Sequence, residues 1–318
     1  MVPLLSICIP NWNGREMLRN LLRSIDAHRE GLELEVIVAD NASTDGAPQM
    51  VAEEFPEILL VSNVENLGFA RASNQCVEHA VGQLLLFLNN DTLMRSGTLR
   101  GMVGILEDDP EIVAVGPQLI GGDGKPQRSP RTQLGLRVLL HRVSLLKWTS
   151  LFRAEYNRYR RSHWEPGLSC VVGHLPGAAL LVRREAFTAC GGWDERFPFG
   201  IEDVDLCARL GHLGKLFYAA NFKIDHLGRI SSRANRGFVY TGYECGYARY
   251  LRKHRGRGAA VLYKVLVTMD MPARVASLAI QLGAQRLFGK PDRVQRCSER
   301  LAAANEFLCR GMPSFWRI

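Results

Sequence analysis

The sequence predicts an α/β fold, with a mostly parallel sheet flanked by helices and a basic helical C-terminal extension. Three observations predict it: short apolar runs alternate with segments of helical periodicity, several runs end in polar residues, and the last third of the chain is basic. Of the 318 residues, 47% are hydrophobic and 23% are charged. This composition is typical of a globular protein and excludes an intrinsically disordered chain.

Five short apolar runs are the predicted strands. They cover residues 4–9, 34–39, 58–61, 84–88 and 178–182. Where strands alternate with helices the sheet is largely parallel, and ligands bind outside the carboxyl ends of its strands. Polar pairs follow three of the runs, namely Pro10-Asn11, Asp40-Asn41 and Asn90-Asp91. Their coincidence predicts a binding site at that edge of the sheet.

Segments with helical spacing separate the strands. Apolar residues recur three or four positions apart within residues 17–25, 69–80 and 206–213, which predicts one buried face on each helix. Residues 121–167 are instead rich in arginine, with few apolar runs. This segment is interpreted as a basic insertion.

The charge of the chain is uneven. Residues 227–318 carry 17 basic and 5 acidic side chains, whereas residues 1–120 carry 7 basic and 17 acidic ones. We therefore divide the chain into an α/β domain at 1–235 and a basic helical region at 236–318. An anionic partner is expected for the basic region. Nucleic acid is disfavoured, because no stacked aromatic pattern or nucleic-acid motif is visible.

The basic region carries an amphipathic pattern after Pro272. Val275, Leu278, Ala279 and Leu282 fall on its apolar face. A basic amphipathic helix fits a lipid interface, and an ordinary helical subdomain packed on the core fits the pattern as well. No run of 20 apolar residues occurs, which argues against a membrane-spanning helix. The opposite, polar face carries Arg274, Ser277, Gln281 and Gln285.

No standard phosphate-binding loop is present in the sequence. Neither G-x-G-x-x-G nor G-x-x-x-x-G-K-[ST] occurs, so a phosphate ligand would be neutralised by a divalent cation on a strand-end carboxylate. Asp91 suits that role, and Asp40 is able to accept hydrogen bonds from a base or a ribose. Each aspartate alone is also typical of a turn. Their places on neighbouring strand ends favour a nucleotide site.

Seven blocks of the sequence form a collinear set between residues 4 and 232. They are Ser6-Ile-Cys-Ile-Pro-Asn-Trp-Asn13, Val38-Ala-Asp-Asn-Ala-Ser-Thr-Asp-Gly46, Asn66-Leu-Gly-Phe-Ala-Arg-Ala-Ser-Asn74, Leu88-Asn-Asn-Asp-Thr92, Gly177-Ala-Ala-Leu-Leu-Val-Arg-Arg-Glu-Ala-Phe187, Gly191-Gly-Trp-Asp-Glu-Arg-Phe197 and Gly200-Ile-Glu-Asp-Val-Asp-Leu206. The set resembles family 2 glycosyltransferases, most of all their rhamnosyltransferase-type branch. The resemblance implies a GT-A fold, with a Rossmann-like sheet, a nucleotide-sugar donor, a divalent metal (Mg²⁺ or Mn²⁺) and inversion at the anomeric carbon.

The resemblance also implies roles for individual residues. Asn89-Asn90-Asp91 occupies the place of the family's D-x-D motif, with the first carboxylate missing, so Asp91 remains as a metal ligand. His226 is implied near the metal and the diphosphate, and a lone histidine is also typical of a structural hydrogen bond. Asp40 would meet the base, and Arg71 would touch the donor or form a salt bridge. The residues implied at the donor are Pro10, Asn11, Asp40, Arg71, Asn74 and Asn90.

The segment Glu202-Asp203-Val204-Asp205 opens a predicted helix. Inverting transfer needs one base for the acceptor hydroxyl, and a carboxylate is a natural choice. The resemblance implies Asp203 as that base and Glu202 at the acceptor or in support of the loop. Acidic residues in a first turn also stabilise a helix dipole, so Glu202 and Asp205 fit caps equally well. Arg229 and Arg233 would neutralise the leaving group.

These inferences together predict an inverting glycosyltransferase. It would add one sugar, L-rhamnose from dTDP-rhamnose, to a saccharide or polyprenyl-diphosphate-linked acceptor in cell-surface polysaccharide synthesis. No Q-x-x-R-W motif follows the base, which favours single-sugar addition over processive polymerisation. The expected location is cytoplasmic, peripheral on the inner face of the cell membrane. Another donor, such as a UDP-hexose, and a nucleotide-binding protein without transfer activity remain as alternatives.

Overall fold

The computed structural model describes residues 4–160, 165–197, 199–227 and 236–318. The chain divides into two compact units, one built on a sheet and one helical. The sheet unit comprises Met1–Gln133, His163–Pro198 and Glu202–Gly228. The helical unit comprises Leu134–Ser162, Phe199–Ile201 and Arg229–Ile318.

A mixed sheet of nine strands forms the centre of the described sheet unit. Its order is β3-β2-β1-β4-β8-β6-β9-β5, and β7 pairs with β9. Strands β3, β2, β1 and β4 run parallel, whereas β8 is antiparallel to both its neighbours. The strands are β1 (Leu5–Asn11), β2 (Leu34–Asp40), β3 (Leu59–Ser62), β4 (Leu84–Leu88), β5 (Thr92–Met94), β6 (Ile112–Ile120), β7 (Cys170–Val172), β8 (Ala179–Arg183) and β9 (Lys215–His226).

Helices cover both faces of this sheet, so the predicted α/β fold is confirmed. Side chains alternate across a strand: Ile7 of β1 packs into one apolar layer with helix α1, and Cys8 packs into the other with α3. Helix α1 buries Leu18 and Leu22, two of the residues whose spacing predicted it. The helices of the unit are α1 (Arg15–Ala27), α2 (Ala47–Glu54), α3 (Gly68–His79), α4 (Thr98–Asp108), α8 (Arg184–Ala189) and α9 (Glu202–Leu210).

The helical unit contains the C-terminal region together with part of the predicted insertion. Three short helices form between residues 136 and 160, and Val138 and Leu139 are buried in them. The helices are α5 (Leu136–Leu140), α6 (Ser144–Trp148), α7 (Arg153–Arg160), α10 (Arg236–Arg255), α11 (Arg257–Phe288), α12 (Pro291–Glu306), a π-helical turn (Phe307–Gly311) and α13 (Met312–Arg317).

The burial of the long helix α11 bears on the two alternatives left open for its amphipathic pattern. Leu278 and Leu282 are buried within the protein, as the alternative of an ordinary helical subdomain expects. Met269 and Ile280, on another side, are 66% and 73% exposed. By length and composition alone α11 is also apolar enough to cross a membrane.

The sheet topology brings the predicted polar residues to one edge. The parallel register of β1 and β2 places Asn11 beside Asp40. Asp91 lies in the turn between β4 and β5, and β5 pairs with the end of β9, where Thr92 faces His226. Residues from four strand ends, separated by up to 215 positions in the chain, therefore meet at the carboxyl edge of the sheet.

Candidate functional site

The ends of β1 and β2 form a hydrogen-bonded polar cluster. The Asn11 amide donates to Asp40 Oδ1 at 2.8 Å, and the Ser43 hydroxyl donates to the same oxygen at 2.6 Å. The Ser43 N–H donates to Asp40 Oδ2 at 2.8 Å. Asn90, from the third strand end, donates to Asn11 Oδ1 at 2.7 Å. Asn11, Asp40 and Asn90, all implied at the donor, thus form one connected chain.

Gly14 permits this chain to form. A Cβ atom at Gly14 would lie 2.2 Å from Asn90 Nδ2 and 3.0 Å from Asn11 Oδ1. Any side chain there would separate the two amides. Its backbone φ of −132° is open to every residue, so the requirement for glycine is steric. Pro10, also implied at the donor, is half-buried on β1 opposite Ala39.

Asp91 and His226 form the next part of the edge. Their side chains are 11% and 14% exposed, and His226 Nε2 lies 3.4 Å from Asp91 Oδ1. Gln127 contacts His226 from the other side of the ring. The Gln127 amide N–H donates to the His226 carbonyl oxygen at 2.8 Å, and this hydrogen bond orients Gln127 Oε1 toward His226 Nδ1, 3.0 Å away. That contact requires a proton on Nδ1. Nε2, on the side of Asp91, is therefore the ring nitrogen that a metal would bind.

This pair fits a divalent cation as two of its ligands. A carboxylate oxygen and a neutral imidazole nitrogen are both metal donors, and Gln127 supplies the outer hydrogen bond that fixes a ligating histidine. Within the described ranges no group of three His, Cys, Asp or Glu residues is arranged to hold a metal. The remaining ligands would come from the donor phosphates and water, as Mg²⁺ and similar ions allow.

Asn74 and Arg71 both contact the loop that carries Trp193 and Glu195. The Asn74 amide donates to the Trp193 carbonyl and to Glu195, each at 2.9 Å, and its oxygen accepts the Trp193 N–H at 3.1 Å. Arg71 lies 3.9 Å from Glu195, with both side chains about half exposed. Asn74 therefore anchors this loop to α3. Arg71 forms the salt bridge that was the alternative to a donor contact, and its partner is Glu195.

Asp203 lies at the start of α9 in a polar niche. Its Oδ1 accepts the Val204 N–H at 2.8 Å, and Oδ2 accepts the Gly177 N–H at 3.2 Å. His174 Nε2 lies 3.3 Å from Oδ2. The carboxyl group is not sealed, because its side chain is 22% exposed.

The niche holds Asp203 in its charged form. Burial raises the pKa of this carboxyl, but the His174 ring and the two backbone N–H groups lower it by more, so its pKa lies below the ordinary value. Hydrogen bonds to the charged form and a nearby positive charge are the expected causes of such a shift. An ionised carboxylate that is still reachable from solvent is able to accept a proton.

The neighbouring acids of α9 differ in their surroundings. Asp205 is fully buried and pairs with Arg209, whose Nη1 donates to the Cys190 and Gly192 carbonyls at 2.6 and 2.7 Å. Asp205 is therefore a packing residue of the loop before α9. Glu202 is half-buried at the first position of the helix. Arg229 and Arg233 lie outside the described residues.

Four residues of this edge were missed by the sequence analysis: Gly14, Ser43, Gln127 and His174. His174 is 29 positions from Asp203 and Gln127 is 99 positions from His226, so no spacing rule links them. The signals available were indirect. Ser43 and Gly14 lie inside or beside matched blocks, and His174 lies three residues before the block that begins at Gly177.

A sequence model of glycosyl transferase family 2 matches residues 6–189 of the chain, which is more than half of it. The chain belongs to this family. All of the strand-end residues up to Asp91, together with Asn74 and His174, fall inside the matched range. Asp203 and His226 lie beyond it, on elements of the same sheet unit.

Relatives of this family 2 glycosyltransferase include a rhamnosyltransferase. N-acetylglucosaminyl-diphospho-decaprenol L-rhamnosyltransferase of Mycobacterium tuberculosis is 31% identical over 228 residues, covering 68% of this chain and 73% of the relative. The O-antigen biosynthesis protein RfbC of Myxococcus xanthus is 26% identical over 260 residues, covering 78% of this chain and 19% of RfbC. The predicted rhamnosyltransferase-like membership of family 2 is thereby confirmed.

Solved structures share the fold of this glycosyltransferase. The mannosyltransferase PcManGT from Pyrobaculum calidifontis, in complex with GDP-Man and Mn²⁺, superposes with a TM-score of 0.57 at 19% identity, covering 98% of this chain and 88% of its own. S. aureus TarS 1-349 superposes with a TM-score of 0.53 at 14% identity, covering 100% and 92%. At these identities the likeness supports the predicted GT-A fold and nothing finer.

Proposed function

We propose that the chain is an inverting glycosyltransferase that moves one L-rhamnose from dTDP-rhamnose to a lipid-linked saccharide, on the cytoplasmic side of a membrane. The name of the M. tuberculosis relative supports both the sugar and the class of acceptor, a GlcNAc carried on a polyprenyl diphosphate. The observation that carries the proposal is Asp203, a carboxylate held ionised and still accessible at the carboxyl edge of the sheet.

Asp203 acts as the general base in this proposal. As the acceptor hydroxyl oxygen attacks the anomeric carbon, its proton passes to the Asp203 carboxylate. The new carbon–oxygen bond forms on the face opposite the departing nucleoside diphosphate, whose bond to the same carbon breaks, so the configuration inverts. His174 and the Gly177 N–H keep Asp203 ionised in the free enzyme, which keeps the base ready before the acceptor arrives.

The strand ends bind the donor in the same proposal. Asp40, held by Asn11 and Ser43, accepts a hydrogen bond from the nucleoside. Asp91 and His226 would hold a divalent cation, Mg²⁺ or Mn²⁺, which when bound neutralises the diphosphate. The Mn²⁺ in the PcManGT complex supports this assignment. Arg71, exposed beside Glu195, remains a proposed donor contact.

Two measurements test the proposal. A panel of dTDP-rhamnose, UDP-GlcNAc, UDP-galactose and GDP-mannose is screened with Mn²⁺ for thermal stabilisation, and then for transfer to a GlcNAc-diphosphate lipid. We expect dTDP-rhamnose to give the largest shift and the only efficient transfer. A UDP-hexose in its place would retain the transferase but exclude the rhamnosyl donor, and binding without transfer or hydrolysis would favour a nucleotide-binding protein.

Asp203→Asn tests the base itself. Asparagine keeps the size of the side chain and the hydrogen bond from the Val204 N–H, but it accepts no proton. Turnover should fall by about 10²–10⁴-fold, the usual scale for loss of a general base, with little change in donor affinity. Asp108→Asn, exposed at the end of α4, is the control. Near-wild-type turnover in Asp203→Asn would exclude Asp203 as the base.

A further inference from the structure

An exposed apolar stripe runs along the whole length of α11. Within residues 258–285, all of them described, no exposed side chain carries a charge. The three charged residues of this span are turned inward: Asp270 and Lys264 are buried and Arg274 is partly buried. The stripe is formed by Val261, Val265, Met269, Ala276, Ile280 and Leu287.

The spacing of these residues makes the stripe continuous. They follow one another at intervals of four or seven positions, which keeps them within an arc of about 100° on a helix of 3.6 residues per turn. The 28 residues from 258 to 285 make the uncharged surface about 42 Å long. An uncharged exposed surface of this length is unusual for a soluble protein and marks a site of contact with an apolar partner.

Basic side chains flank the stripe at both ends. Arg255 and Arg257 are exposed where α11 begins, and Arg286 and Lys290 are exposed where it ends. The charge pattern is therefore positive, apolar, positive along one line. A bilayer with anionic headgroups over an apolar interior offers the matching pattern, because arginine and lysine bind the headgroups while the stripe enters the acyl boundary.

The helix lies along such a surface instead of crossing it. Its opposite side packs into the helical unit through Tyr263, Val267 and Met271, which are at most 2% exposed. A crossing helix would take its packing partners into the hydrocarbon with it. Helix α12 is one of these partners, and its charged residues would have to lose their water. Only the exposed side of α11 is free to contact lipid.

We propose that this stripe is the membrane-docking surface of the protein, seated in the interface of an anionic lipid bilayer. The proposal deepens the proposed function, on which it rests for the lipid-linked acceptor, by naming the surface through which the enzyme reaches its acceptor's membrane. The docking face is distinct from the side of the helix carrying Leu278 and Leu282, which is buried.

Vesicle flotation of the full chain tests the surface. A stripe variant, Met269→Gln with Ile280→Gln and Leu287→Gln, is compared with a control, Val64→Gln with Val81→Gln and Leu213→Gln. The control removes three exposed apolar residues from the sheet unit. We expect the wild type and the control to float with phosphatidylglycerol-containing vesicles, and the stripe variant to bind at least ~10-fold more weakly.

The basic ends are tested in the same assay. Arg255→Gln with Arg257→Gln and Arg286→Gln should weaken binding by at least ~10-fold, since each basic residue near an anionic surface contributes about 1 kcal/mol. Wild-type binding should fall when phosphatidylcholine alone is used. Equal flotation of the stripe variant and the wild type, or no flotation of the wild type, would overturn the proposal.

Two further readouts separate the remaining outcomes. Light scattering reports whether the stripe joins two copies: a wild-type dimer that the stripe variant converts to monomers, without vesicle binding, would overturn the lipid assignment. The single variant Ile280→Gln repeats the test if the triple variant loses its folded circular dichroism spectrum. Donor hydrolysis in the absence of vesicles should be unchanged in the stripe variant. Flotation without any transfer would reject the proposed function and leave this surface standing.

Discussion

The candidate site of the sheet unit and the interior of the helical unit hold their aspartates with different partners, and the buried Asp205–Arg209 pair of the sheet unit is of the second kind. In the sheet unit, Asp40 and Asp203 are held by neutral donors or a histidine. In the helical unit, Asp270 accepts the Ser144 N–H at 3.0 Å and pairs with Arg274 at 3.0 Å. A carboxylate held by backbone N–H groups, amides, hydroxyls or a histidine is able to bind a ligand, whereas the charge of one paired with arginine is already neutralised within the protein. Site acids are therefore distinguished by their partners and not by burial alone.

The largest expected effect is on the stability of the helical unit. Asp270→Ala leaves Arg274 partly buried without this partner and removes both Ser144 hydrogen bonds. Breaking a buried pair from one side costs about 3–5 kcal/mol, so chemical denaturation should show that loss in the unfolding free energy. Asp292→Ala, exposed on α12, is the control and should change stability by less than ~0.5 kcal/mol. Similar losses of unfolding free energy in the two variants would show that the Asp270–Arg274 pair does not stabilise the helical unit.

The next effect concerns donor binding in the sheet unit. Asp91→Ala should weaken manganese-dependent donor binding by at least ~100-fold in calorimetry, because a metal contact to a diphosphate is worth several kcal/mol. The folding free energy should change little. Asp26→Ala, at an exposed site on α1, serves as the control. Donor affinity that is the same with and without EDTA, in wild type and variant alike, would contradict the metal assignment.

A smaller effect is expected from His174→Gln, read out as a pH profile. His174 lowers the pKa of Asp203, so its removal should raise that pKa and move the acidic limb of kcat/KM to higher pH. Activity should fall more at pH 5 than at pH 8, because a base with a raised pKa is protonated first at low pH. His212→Gln, exposed in the same unit, should leave the profile in place. A uniform loss at every pH would assign His174 a purely structural role.

The same shift has a consequence for stability. Because the pKa of Asp203 is lowered in the folded protein, its ionisation stabilises the fold at pH values above its unfolded pKa. That contribution is lost as the pH falls through the folded pKa. In His174→Gln the contribution should be smaller and its loss complete at a higher pH, which acid unfolding monitored by circular dichroism would detect.

The smallest effect is expected from Gly14→Ala. The new methyl group would meet Asn90 Nδ2 at 2.2 Å and separate Asn90 from Asn11. Losing one hydrogen bond between neutral groups costs about 1 kcal/mol, so donor affinity should fall by several-fold. Gly104→Ala, in α4 with open space around it, is the control and should bind the donor normally. Unchanged affinity in Gly14→Ala would separate the Asn90–Asn11 contact from donor binding.

The strands of the sheet were predictable where they are apolar throughout. Strands β1, β2 and β4 are buried on both faces, and their runs stand out in the sequence. The sequence analysis missed β5, β6, β7 and β9. Strands β5 and β7 have three residues each, Gly116, Pro117 and Gln118 interrupt the apolar run of β6, and the residues of β9 follow no clear period. The sequence also predicted that the polar residues at the ends of β1, β2 and β4 are neighbours, because parallel strands end at one edge of a sheet.

Long-range partners and the face of α11 were not predictable. The contacts of His174 with Asp203 and of Gln127 with His226 depend on the order of β6, β8 and β9 in the sheet, which local spacing does not contain. In α11 apolar residues occur on every side, so periodicity alone gives two candidate buried faces. The packing against the other helices decides between them, and Met271 is buried where Met269 is exposed.

The hydrogen bonds around Asp40 limit which nucleobase it would contact in the proposed donor site. A carboxylate has about four lone-pair sites, and Asn11 and Ser43 occupy two on Oδ1 and one on Oδ2. One acceptor position is left on Oδ2. Thymine and uracil present a single imide N–H on that edge and match it, whereas guanine presents two adjacent donors, one of which would face an oxygen already filled. In the proposed donor site, the single free acceptor position on Asp40 would therefore favour a base with an imide N–H, thymine or uracil, over guanine.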